Sequence, residues 1–102
     1  MCIRDSLYTT ADWTTFRSTF GLSGYAGSLT QVHPSGCSDP GANADDGEAV
    51  LDVEWASAAA PSAAIELASC SDTTTFGGLI ALQNLINGSN PPAIMSLSLI
   101  HI

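Results

Sequence analysis

The chain is expected to be an α/β protein with a parallel sheet, incomplete as it stands. Three observations lead there. Short apolar runs alternate with longer segments of helical period, which is the pattern of βαβ units. Gly, Pro, Asn and Asp punctuate the joints between them. The alternation yields only three strands and two long helices before it stops at a strand. Right-handed crossovers would connect such strands.

Residues 11–20 come first, a short helix with Trp13, Phe16, Arg17 and Phe20 at helical spacing, stopped by Gly21 and Gly24. Residues 28–33 form a strand that Pro34 ends. A loop rich in Gly, Pro, Asn and Asp covers 34–47. The clearest helix follows, with Asp45 as N-cap and Glu48 completing a capping box. It runs through Trp55 and Ala56 and ends before Pro61; apolar nearly all round, it is expected to be buried. Residues 63–68 form a strand, 74–87 a helix stopped by Gly88, and 93–97 a third strand introduced by Pro91 and Pro92.

The 102 residues allow one domain and carry a net charge of −8, with ten acids, two arginines and no lysine. Nucleic acid is thereby excluded as a partner, because basic side chains must displace counterions from its phosphates. An anionic membrane surface is excluded for the same reason. No apolar run approaches the roughly 20 residues of a membrane span.

The two ends are expected to be foreign. Met1 to Ser6 back-translates as ATG TGT ATA AGA GAC AG. The reverse complement, CTG TCT CTT ATA CAC AT, encodes the closing Leu-Ser-Leu-Ile-His and a final Ile or Met. One inverted element, resembling a transposon end used to fragment DNA for sequencing, would encode both. Residues 1–6 and 97–102 are then adapter-derived and 7–96 natural, with Leu97 and Ser98 compatible with either origin. Cys2, Arg4, Asp5 and His101 leave the functional argument; Arg17 is the one natural basic residue against nine acids. Contiguous genomic reads through Met1 or Ile102 with these same residues would sink this expectation.

Glu48 and Asp52 are the candidate catalytic residues. Four apart, they share one face of a helix, and no Lys or Arg stands three or four positions from either. Burial among Leu51, Val53 and Trp55 together with mutual repulsion would raise their pKa values and suit them to acid–base work at low pH. The capping box alone would account for Glu48, whereas Asp52 sits beyond the first turn. Glu54 falls on a different side, where a solvated position is expected.

The run from Gly47 to Ala56 with Ala59, Ala60 and Pro61 resembles the Glu-x-x-x-Asp helix of the sedolisin (serine-carboxyl) peptidases. Tyr8 to Asp12, Ala64 to Leu67 and Ile94 to Ser98 also resemble that family, so most of 7–96 is covered. The resemblance implies an N-terminal part of a subtilisin-like catalytic domain, secreted, that cleaves polypeptide substrates in acid. It implies that Glu48 is the general base for a serine nucleophile, with Asp52 hydrogen-bonded to it. The Gly-Thr-Ser serine, the oxyanion aspartate and the family's calcium site would lie beyond this stretch. No cofactor is expected within it, and the chain as written is expected to be inactive.

Other chemistries are weaker. A Ser-His-Asp hydrolase would depend on His33, the one natural histidine, and no Gly-x-Ser-x-Gly elbow exists. His33, Cys37 and Cys70 lack zinc-ligand spacing. Asp39, Asn43, Asp45 and Asp46 could face a calcium ion but lack the EF-hand order, and a polar turn is the better reading. Cys37 and Cys70 are compatible with a disulfide or with two separate thiols. The non-enzymatic alternative is a secreted binding or adhesion module.

Overall fold

The computed structural model describes residues 10–41, 44 and 46–98, together with the backbone of 2–4. In chain order the elements are β1 (Cys2–Arg4), α1 (Thr10–Thr19), β2 (Ser28–Val32), α2 (Asp46–Ala59), β3 (Ala64–Ser69), α3 (Gly77–Ile86) and β4 (Ser96–Leu97). The chain is a small α/β domain. Its four strands lie in the order β2-β3-β1-β4, and every pairing is parallel. Ser28 stands opposite Ala64 and Val32 opposite Ala68, while Cys2 stands opposite Leu67 on one side and Ser96 on the other.

Parallel strands cannot be joined by tight hairpins, so helices return the chain across both faces and bury the sheet on each. β3 shows the result. Leu67 turns to a cluster with Ala49 and Val53 of α2, against which Trp13 and Leu29 pack. Its neighbours Ala68 and Cys70 turn to a second cluster with Ala81 of α3, flanked by Val32, Ile80 and Leu97. Side chains alternate across a strand, so β3 divides the core into an α1/α2 side and an α3 side.

Four strands are present among the described residues where three were expected. The additional one, β1, comes from residues set aside as adapter-encoded. Ladder pairing needs only an extended backbone with its amide and carbonyl groups turned sideways, so β1 carries no information about what encodes it. The last strand spans Ser96–Leu97 rather than 93–97, because β1 offers it partners only at Cys2 and Ile3. The helix expected over 74–87 starts at Gly77. Thr73 and Thr75 instead close a local turn, the Thr75 amide donating to Thr73 Oγ1 at 3.1 Å, which competes with helix in the way threonine side chains do. Asp72 then accepts from the Gly77 amide and caps the helix from five residues upstream. A side chain at Gly77 would run into the Cys70 carbonyl, so only glycine lets helix and strand end come this close.

α2 is buried on one side only, contrary to the expectation from its composition. Ala49, Val53 and Ser57 face the core, whereas Leu51 and Trp55 are 45% and 65% exposed. Its packing partners, α1, β1 and β3, all lie against that one side. The capping residue expected for it, Asp45, lies outside the described residues.

A polar joint locks α1 to α2. Trp13 Nε1 donates to Ser57 Oγ at 2.6 Å, and Ser57 Oγ donates to the Val53 carbonyl at 2.7 Å. Arg17 is buried beside it. Its guanidinium donates to the carbonyls of Pro61, Leu22 and Tyr25 and lies 4.8 Å from the centre of the Trp13 ring. Those bonds and the cation–π contact offset the cost of removing the charge from water. A side chain at Gly27 would meet both the Pro61 carbonyl and Arg17 Nη1. Trp13→Phe keeps the ring and loses the donor, and should lower stability by about 1 kcal/mol; a urea midpoint equal to that of the parent would contradict this.

Cys37 and Cys70 are joined as a disulfide, their Cα atoms 5.3 Å apart. The Ser71 amide donates to the Ser38 carbonyl at 2.8 Å alongside it. The loop after β2 is thus fixed to the end of β3.

Candidate functional site

Glu48 and Asp52 are both half-buried on α2, one turn apart. α2 follows the loop that leaves the C-terminal end of β2, so its first turn, with Asp46 and Glu48, lies toward the C-terminal edge of the sheet. The amide dipoles at a helix start favour carboxylates there. That edge is where open α/β sheets place their ligands. The same-face arrangement expected from the spacing is therefore present in the helix.

The two residues do not open onto the same space. Asp52 borders a cavity of about 600 Å³, together with Ala56, Ile65, Glu66, Pro92 and Ile94. Glu48 is not among the residues lining it. The cavity extends along the C-terminal half of α2, away from the first turn. Glu66 was not expected at this site. It lies in β3, and only the folded register brings it toward the helix bearing Asp52.

Burial and the nearby Asp12 charge raise the pKa of Glu54, desolvation contributing most. It is half-buried rather than simply solvated. The correction comes from α1, which carries Asp12 and packs beside α2, an approach that sequence spacing does not contain. A carboxylate with a folded pKa above its unfolded value binds protons more readily in the native state. Stability therefore falls as pH rises from the ordinary carboxylate pKa of 4.5 through the raised one. Glu54→Gln should remove this contribution and flatten the stability profile above the ordinary carboxylate pKa of 4.5. Urea melts across that range check it, and a slope unchanged by the substitution would refute it.

His33, Ser69 and Asp39 also come together. His33 Nδ1 lies 3.1 Å from the Ser69 carbonyl and 3.3 Å from Ser69 Oγ, and Nε2 lies 3.6 Å from Asp39 Oδ2. The residue types match a hydrolase triad, but the arrangement does not perform as one. A carbonyl only accepts, so Nδ1 carries the proton and cannot take one from Ser69. Ser69 is also wholly buried, out of reach of any substrate carbonyl. The cluster ties the loop after β2 to the end of β3, as the disulfide does. Sequence spacing held no signal for it, because Ser69 lies 36 residues from His33 and meets it only when β2 pairs with β3.

Asp39 has a second task in that loop, where its Oδ1 accepts from the Gly41 amide at 2.8 Å. This is the polar turn expected there; Asn43 and Asp45 lie outside the described residues. Among the described residues, no group of three or more His, Cys, Asp or Glu side chains converges as a metal site would. No helix among the described residues is long and apolar enough to cross a membrane. Comparison with family models, curated proteins and solved structures produced no match to this chain.

Proposed function

We propose that this chain is the acid–base part of a sedolisin-type serine-carboxyl endopeptidase that acts on polypeptides at acidic pH. The observation that carries the reading is the Glu48–Asp52 pair, half-buried on one helix whose start lies toward the C-terminal edge of a parallel sheet. Two carboxylates so placed suit proton transfer where an imidazole would already be protonated. In this reading Glu48 takes the proton of the attacking serine and returns it to the leaving amine, while Asp52 orients Glu48. The nucleophile and the oxyanion aspartate are supplied from outside these residues, and the chain alone does not cleave peptides. The parallel α/β architecture supports a subtilisin-like domain at the level of fold class. The Cys37–Cys70 disulfide supports secretion, since such bonds persist in oxidising compartments.

The test is recovery of the flanking DNA. Continuation of the reading frame into a Gly-Thr-Ser segment, with acid proteolysis by the encoded protein, is the expected result. A frame ending near Ser96 would overturn the reading and favour a secreted binding module instead.

A further inference from the structure

We propose that Asn87 is an acceptor for an N-linked oligosaccharide. Asn87-Gly88-Ser89 is an asparagine with a hydroxyl residue two positions on and no proline between, the pattern that marks such acceptors in secreted chains. The other three asparagines lack it. Asn43 has Asp45 at that place, Asn84 has Ile86, and Asn90 is followed by two prolines. The motif is short, so its setting in the fold decides whether it can serve. α3 ends at Ile86, Asn87 is its C-cap, and residues 87–90 are all exposed. A glycan is bulky and hydrated and must stay in water, and this turn leaves it there.

The backbone of the turn is held while its side chains are unused. The Asn87 amide donates to the Gln83 carbonyl at 3.1 Å and the Gly88 amide to the Leu85 carbonyl at 3.2 Å. Among the described residues, neither the Asn87 carboxamide nor the Ser89 hydroxyl has a hydrogen-bond partner. Asn84 is the contrast: it is half-buried, and its Nδ2 donates to the Ile80 carbonyl at 2.9 Å. The helix stop accounts for Asn87 and Gly88, but it gives no reason for a hydroxyl at Ser89. The Cys37–Cys70 disulfide fits passage through an oxidising secretory compartment. The donor there is an oligosaccharide carried on a polyprenyl pyrophosphate. Asn87 Nδ2 bonds to C1 of the first N-acetylglucosamine as the bond from C1 to the pyrophosphate oxygen breaks. The electron pair leaves with the pyrophosphate, Nδ2 gives up one proton, and nothing is oxidised or reduced. The proposal rests on the secretion part of the function proposed above and not on Glu48 or Asp52.

The test secretes the full chain from yeast behind a cleavable leader and digests it with an endoglycosidase that leaves one N-acetylglucosamine on the asparagine. Expected are faster gel migration after digestion and a proteolytic peptide spanning 87–89 that keeps the single sugar. That tag separates the modification from spontaneous deamidation at Asn-Gly. Asn87→Gln and Ser89→Ala should abolish the tag, and Ser89→Thr should retain it. Both positions are exposed, so the variants leave the fold intact. The glycosylated chain should have a urea midpoint no lower than that of Asn87→Gln. Translation into microsomes gives the same mass readout if export fails. An unmodified 87–89 peptide, a tag that survives Ser89→Ala, or a glycan that lowers the urea midpoint would each overturn the proposal. A reading frame ending near Ser96 would remove the peptidase reading and leave these outcomes untouched.

Discussion

Removing the Cys37–Cys70 bridge should cost about 2–4 kcal/mol of stability, a large part of what a domain of this size possesses. The bridge spans a sequence separation of 33. In the unfolded chain it forbids the many conformations in which those residues lie apart, and the entropy so removed grows with the logarithm of loop length. In the folded chain it holds the loop after β2 against the end of β3, where the Ser71–Ser38 hydrogen bond and the His33–Ser69 contact also act. Two versions of the experiment separate these contributions from packing. Cys37→Ala with Cys70→Ala removes the bond and also trims a wholly buried side chain. Chemical reduction of the parent removes the bond and keeps the sulfur volume. Both should lower the urea midpoint, the alanine pair somewhat more, because Cys70 packs with Ala68 and Ala81. The alanine pair should then be indifferent to reductant. A reduced parent with an unshifted midpoint would show that the loop is held without the bridge.

The bridge also marks the limit of what the sequence made legible. β2 and β3 were readable because Pro34 and Pro61 bracket their neighbourhoods and apolar residues stand on both faces of β3. α1 and α2 were readable from helical spacing and from Gly21, whose φ of 72° suits glycine at a helix end. What could not be read is which distant residues meet. Cys37 reaches Cys70, Trp13 reaches Ser57, and Asp12 acts on Glu54 only because β2 and β3 pair in one register and α1 packs on α2. The start of α3 was misplaced for a local reason, since Thr73, Thr75 and Asp72 use their side chains to build a turn and a cap. β1 is not legible from spacing, because its three residues show neither alternation nor flanking turn signals. At the candidate site, the Glu48–Asp52 face was legible from spacing. The cavity was not, because Glu66 and the segment before β4 join it only in three dimensions.

In the intact protein proposed above, Glu48→Gln should lower kcat about a hundredfold to ten-thousandfold, the range that general acid–base catalysis contributes. The amide keeps the size of the side chain and its ability to accept a hydrogen bond, but it cannot take a proton from the serine. Peptide binding should be largely unchanged, so KM stays close to that of the parent. Asp52 is a positioning residue in this scheme and its loss should read differently. Asp52→Asn preserves shape but changes what faces Glu48, from a group that only accepts when ionised to one that donates through its NH₂. The activity that remains should then show a displaced pH profile, because in the proposed scheme Glu48 acts beside a changed charge. A merely structural Asp52 would reduce the amount of folded enzyme and leave the shape of the profile alone. Full activity in Glu48→Gln would remove the residue from the chemistry. The capping role would then suffice for Glu48, because a residue in the first turn of α2 already has a reason to be acidic. Asp52 lies a turn deeper, where the helix dipole offers no such reason, so the pH profile of Asp52→Asn is the sharper discriminator between a catalytic pair and two unrelated carboxylates.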